Sequence, residues 1–215
     1  MDGATLQARV NAGYGKAAQR IGLPHDLYRP VSPTSPTPLD PVNKLTTLPA
    51  HFRVDDKFAR PNVYGKPLWL AYVDGSQLQV GDYLSGAAGI KFIAAMQPLL
   101  PILCVECNRT LTITRPVPTT QVGAIDSYNG QSSADTTLMA GWPCSILAGT
   151  KGDRNEVGLP GDVRTPYWAI LLPAWPGLVL NNADAATDDL GRRYIISTAE
   201  LTDLGWRMTA QQAVT

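Results

Sequence analysis

The sequence predicts a mainly β protein: a small antiparallel β-barrel or sandwich, with one N-terminal helix and a proline-rich extended arm. Three observations predict it. Nineteen glycines and eighteen prolines punctuate the 215 residues into short segments, as turns between strands require. Several of those segments alternate polar and apolar residues, the period of a half-buried strand. Only one stretch carries the three- and four-residue spacing of an amphipathic helix. The chain therefore divides into a helix over residues 1–22, an arm over 23–62 and a β domain over 63–215. A finer reading splits the last into β subdomains 63–120 and 142–215, joined by a polar loop 121–141.

The helix runs from Ala4 to Ile21, where Leu6, Val10, Tyr14, Ala17 and Ile21 share one side. Asp2 is placed to cap its first turn, and Gly22-Leu23-Pro24 stops it. Gly13 and Gly15 each cost it about 1 kcal/mol relative to Ala, so it needs a surface to dock on. Seven prolines follow, from Pro24 to Pro49. Proline fixes φ and drives its predecessor into extended geometry, which predicts a strap with few internal hydrogen bonds. The run from Val31 to Pro38 has the texture of a linker. Yet the arm also carries Leu27, Tyr28, Leu45, Leu48 and Phe52, apolar anchors that a solvent linker does not need. Two readings follow: a tether between helix and barrel, or an arm lying along a neighbouring subunit with these five as subunit-interaction residues.

Strands begin after Val63. Pro67 to Val73 is a short apolar run closed by the turn signal Asp74-Gly75. Gln77 to Leu84 alternates around a bend at Gly81-Asp82, and Ile90 to Gln97 reads as another strand. Ile102 to Arg115 is the longest alternating run. Cys104, Glu106, Asn108 and Thr110 lie on a polar face; Leu103, Val105, Leu111 and Ile113 lie on a mostly apolar one. Pro116 to Gly141 is a polar connection of a length more typical of interaction loops than of turns. Trp142 to Leu147 and Tyr167 to Leu172 resume the strands across a loop at Lys151 to Arg164, and Leu178 to Leu180 suits an edge strand. Gly191 to Thr198, a turn at Glu200 to Gly205, and Trp206 to Gln211 form a terminal hairpin. No internal repeat is visible, and two similar β halves stay open as an arrangement.

Composition narrows the function. Eighteen basic and eighteen acidic residues cancel, whereas a protein whose main partner is nucleic acid carries a basic surplus against phosphate. No apolar run approaches the roughly 18 residues that span a bilayer, and the first residues lack the apolar core of a signal peptide. The expected setting is a cytoplasm, with no membrane partner. Cys104-Val105-Glu106-Cys107 is the one motif that invites chemistry. Zinc sites need four ligands, however, and an offset of three in a strand sends the two thiols to opposite faces. Cys144 and the only histidines, His25 and His51, do not complete a set. There is no nucleophile elbow and no phosphate-binding glycine loop. The pairs Asp55-Asp56 and Asp188-Asp189 read as solvated turn residues. No catalytic, cofactor-binding or metal residue is assigned, no cofactor is expected, and the chain is not expected to be an enzyme. Trp142, Trp168, Trp175 and Trp206 with their neighbouring prolines are core plugs or interface anchors, or alternatively line a carbohydrate- or peptide-binding groove.

The run Gly191-Arg192-Arg193-Tyr194-Ile195-Ile196-Ser197-Thr198-Ala199-Glu200-Leu201-Thr202-Asp203-Leu204-Gly205-Trp206-Arg207 resembles the closing hairpin of tailed-bacteriophage head-completion and neck proteins. The segment from Met1 to Val10 and Tyr28-Arg29-Pro30 are similar to virion proteins encoded beside tailed-phage structural genes. The resemblance implies a homo-oligomeric structural subunit of the virion, forming a ring or tube at the head–tail junction (connector, neck) or in the tail. Its partners would be copies of itself and other virion proteins, with no small-molecule substrate. Simple head-closure barrels are about half this length, so the resemblance leaves the helix, the strap and the extra strands unexplained.

Overall fold

The computed structural model describes residues 2–54, 66–116, 135–149 and 167–213. A single helix, α1 (Gly3–Ile21), precedes β1 (Leu23–Tyr28), β2 (Lys44–Arg53), β3 (Leu68–Tyr72), β4 (Tyr83–Gly86), β5 (Gly89–Ala95) and β6 (Ile102–Cys107). Then come β7 (Arg109–Arg115), β8 (Thr136–Ala148), β9 (Trp168–Leu172), β10 (Ala185–Asp188), β11 (Arg193–Thr202) and β12 (Gly205–Gln212). The protein is mainly β, as its turn-rich, alternating sequence predicts. The strands close into two antiparallel barrels. Barrel 1 has the order β1-β2-β3-β6-β5-β4, and barrel 2 the order β7-β8-β9-β12-β11-β10. Adding six to each strand number of the first gives the second, so the chain is a tandem of one topology that its sequence conceals.

The helix forms where its periodicity and caps place it. The Asp2 carboxylate accepts from the Thr5 amide at 2.8 Å, and the Gly22 amide closes the last turn onto the Ala18 carbonyl at 2.7 Å. Of its residues only Ala18 is fully buried, so it lies on barrel 1 as a thin cover rather than as a core element. Tyr14 meets Tyr72 edge-on at 5.2 Å, and a side chain at Gly15 would press on Asp74.

The arm over 23–62 is a correction. Residues 23–28 and 44–53 are strands of barrel 1, with His25 and Leu27 paired to Leu48 and Thr46 on one side and to Gly86 and Leu84 on the other. Among the described residues of the arm, 29–43 form a strap, and they cross to barrel 2 of the same chain. There the Pro33 carbonyl accepts from the Ala140 amide at 2.9 Å and from the Trp142 indole N–H at 2.7 Å. The Ala140 amide is available because β8 bulges, pairing Trp142 and Met139 with Leu111 and Ile113 and leaving Ala140 and Gly141 out of the ladder. Proline fits this role: it needs no ladder partner for its nitrogen yet still offers a carbonyl.

Ile102 to Arg115 is not one strand but two, β6 and β7, and the chain passes from barrel 1 to barrel 2 between them, at Asn108. Asn108 continues the pairing with its side chain, its amide donating to the Ile146 carbonyl and accepting from the Ile146 N–H, each at 2.8 Å. Its backbone N–H also donates to the Cys144 carbonyl at 3.0 Å, so the pairing continues as the chain passes from barrel 1 to barrel 2. Residues 136–141, expected in the loop, belong to β8. The run from Ser127 to Ser133, the loop at Lys151 to Arg164 and the Asp55-Asp56 pair lie outside the described residues. Residues 178–180 form no strand; the strand that closes barrel 2 is β10.

One buried cluster fills barrel 1 with Leu27, Leu48, Ala71, Leu84, Ile93 and Cys104. A larger one fills barrel 2 and reaches the outer face of barrel 1 through Tyr83, Phe92 and Val105. The period of two explains the division, since Tyr83, Phe92 and Val105 each precede or follow an inward residue. Tyr83 stands edge-on to Trp142 at 6.1 Å and donates its hydroxyl to the Pro143 carbonyl at 2.9 Å. Each such buried aromatic contributes about 3 kcal/mol, and together they join the barrels across a packed interface.

Candidate functional site

The two barrels share one end in chemical detail. Arg29, just after β1, grips Asp82, just before β4, through two hydrogen bonds of 2.8 and 2.7 Å and also donates to the Gln77 carbonyl at 3.0 Å. Arg115, at the end of β7, grips Asp184, just before β10, through two bonds of 2.8 Å and donates to the Val179 carbonyl at 2.8 Å. Each aspartate also accepts the amide three residues before it, Gln79 or Asn181, at 2.8 Å. Both carboxylates are 2% exposed, whereas the guanidinium side chains are 31% and 35% exposed. The hydrogen bond to its aspartate raises each arginine above its ordinary pKa, so both clamps stay charged.

The clamp dictates the loop before it. Gly81 has φ +91, the left-handed region that glycine enters freely. Its counterpart is Ala183 at φ +69, which an alanine holds only because the surrounding bonds require it. The ordered loops carry Val80 and Val179, 57% and 61% exposed, at the outer ends of their barrels. At the same ends Leu99 and Leu100, in the 96–101 turn of barrel 1, and Leu201, near the end of β11 in barrel 2, are also exposed. Leu99 is itself left-handed at φ +63, and its amide is held by the Gln7 side-chain carbonyl of α1 at 2.7 Å. A bulky aliphatic residue in that region is strained and shows its side chain to solvent, a costly arrangement that packing alone does not explain.

The five residues read as subunit anchors do not form one surface. Leu27 and Leu48 are inside barrel 1, Phe52 packs against the same core, and Tyr28 packs on the inter-barrel cluster. Leu45 alone is exposed. Four of the five pack in or against the barrel cores of their own chain. Trp142 and Trp206 are buried, and Trp168 and Trp175 pack against that core, with Trp168 edge-on to Tyr194 and Trp142 edge-on to Trp175. Asp188, read as a solvated turn residue, is buried. It accepts from the Tyr194 hydroxyl at 3.0 Å and from the Leu190 and Arg192 amides at 3.0 and 2.8 Å.

The cysteines are divided as strand alternation requires: Cys104 lies in the barrel 1 core, while Cys107 packs against the other cluster. No group of three His, Cys, Asp or Glu that suits a metal occurs among the described residues. Burial pushes the Cys104 thiol up to about 12 and the Cys144 thiol well above its usual range, so neither forms a thiolate under ordinary conditions. At about pH 8 the folded chain is expected to leave both unlabelled by iodoacetamide, and the denatured chain to label fully. Adducts mapped by mass spectrometry test this; rapid labelling of Cys104 in the folded protein would contradict a closed barrel 1.

The clamps left a faint trace in the sequence. Arg29-Pro30 and Arg115-Pro116 each end a strand, and Leu78 and Leu180 each stand four residues before the clamp aspartate. The residues between differ, which hides the repeat. Comparison with protein-family models, with curated proteins and with solved structures finds no match.

Proposed function

We propose that this chain is a structural subunit of a tailed-phage particle, working by assembly with copies of itself and with other virion proteins. The observation that carries the reading is the duplicated clamp with exposed aliphatic side chains at both barrel ends: Val80, Leu99 and Leu100 in barrel 1, Val179 and Leu201 in barrel 2. Exposed aliphatics on ordered loops suit protein contacts, and two such ends make one chain bivalent. Closed barrels offer no free sheet edge, so contact through side chains and loops replaces strand addition.

Quantitative mass spectrometry of purified particles, scaled to the major capsid protein, tests the reading. The wild-type chain is expected at the copy number of one or a few rings. A chain with Val80→Asp and Val179→Asp is expected to fall by about tenfold or more, as charged residues at a contact would dictate. Wild-type levels of that variant would exclude the matched ends as the contact, and absence of the wild-type chain from particles would overturn the virion reading.

A further inference from the structure

We propose that the opposite end of barrel 1 is a socket for the Leu99-Leu100 turn of a second copy of this chain, so that copies stack head to tail. The inference rests on the assembly reading above and supplies the interface. The socket is a groove of about 220 Å³ where β2 ends and β3 begins. Phe52, Trp69 and Ala88 wall it, and Ile21 and Leu23, 59% and 51% exposed, form its rim.

Its floor is polar in a particular way. Lys91 is 2% exposed, lies 4.6 Å from the Phe52 ring centre and 5.5 Å from that of Trp69, and donates to the Ala88 carbonyl. Glu106 lies 3.7 Å from the ammonium and accepts from the Trp69 indole at 2.9 Å. The two charges cancel, so a neutral partner fits better than an ion. An ammonium has three donors, and only the Ala88 carbonyl lies at hydrogen-bond distance among the described residues, which leaves capacity for a carbonyl oxygen.

Barrel 2 shows what a closed end looks like. Register places Tyr194 where barrel 1 has Lys91, and Asp188 where it has Gly86. There Tyr194 bonds to Asp188 and packs on Trp168, and the space is filled from within. Among the described residues, barrel 1 keeps a groove at the equivalent place.

The same barrel offers a matching knob. β5 begins beside the groove and runs about 20 Å to the 96–101 turn at the far end. Leu99 and Leu100 are 43% and 52% exposed, and neither the Pro98 nor the Leu99 carbonyl accepts a hydrogen bond among the described residues. Two aliphatic side chains beside free carbonyls are the chemistry that an apolar groove with a spare ammonium donor accepts. The turn of barrel 2 is less suited, because Thr202 bonds both the Gly205 carbonyl and the Leu204 amide within it. Contact between unlike ends of one barrel is heterologous, the class that builds rings and tubes rather than closed dimers.

Sedimentation velocity and native mass spectrometry of the full chain test this with two variants: Leu99→Asp with Leu100→Asp, which removes the knob, and Ala88→Trp, which fills the groove from an exposed turn. Circular dichroism checks that both fold. Wild type is expected to form concentration-dependent oligomers, each variant to remain monomeric, and an equimolar mixture of the two to give a one-to-one dimer and nothing larger. Oligomers that persist in both variants overturn this interface while leaving the assembly reading intact. A wild-type chain that stays monomeric overturns the self-stacking itself, and particle incorporation then judges the assembly reading separately.

Discussion

A chain lacking residues 1–50 is expected to lose barrel 1 altogether and to aggregate. The deletion removes β1 and most of β2, and with them Leu27, Leu48 and Ala50 from the barrel core. Burial of one such leucine contributes about 2 kcal/mol, so the loss consumes much of the roughly 5–15 kcal/mol by which a domain is stable. It also uncovers edges on β3 and β4, whose partners in the closed barrel are β2 and β1. Barrel 2 is weakened in turn, since the Pro33 carbonyl that holds Ala140 and Trp142 departs with the strap. Near-UV circular dichroism and size-exclusion chromatography read the outcome. A monomeric truncated chain with a native aromatic spectrum would show that β1 and β2 are dispensable.

Replacing either clamp arginine by alanine should be the most damaging single change at the barrel ends. Arg115→Ala leaves the Asp184 carboxylate, 2% exposed, with only the Asn181 amide, and Arg29→Ala leaves Asp82 with only that of Gln79. Breaking a fully buried pair from one side costs about 3–5 kcal/mol. The guanidinium groups here are a third exposed, and screening reduces the expected loss to about 2–3 kcal/mol. For a chain of this size that lowers the melting temperature by roughly 5–10 °C. Arginine to lysine should recover only part of it, because an ammonium cannot make the paired contact. Calorimetry decides: if both alanine variants melt within about 1 °C of wild type, the clamps do not order the barrel ends.

Several elements were legible without the structure. Asp2, the apolar spacing to Ile21 and Gly22 bounded the helix, because caps and periodicity act within a few residues. The strands at 68–72, 89–95 and 168–172 and the terminal hairpin followed from apolar runs, alternation and turn chemistry, which are equally local.

Tertiary structure decided the rest. Prolines at 24 and 49 argued against strands, yet they stand opposite one another in the β1–β2 pair, whose ladder also reaches Gly86 some sixty residues away. No local pattern names a partner that distant. Lys91, a charged residue in an otherwise mostly apolar strand, is buried because Phe52, Trp69 and Glu106 converge on it from three other strands. The alternation from Ile102 to Arg115 is continuous in sequence and divided in space, since Asn108 lets the chain change barrels without losing its pairing. The repeat was hidden for a related reason. Barrel topology constrains which residues pair and which face inward, and leaves their identities free except where a buried carboxylate needs its arginine.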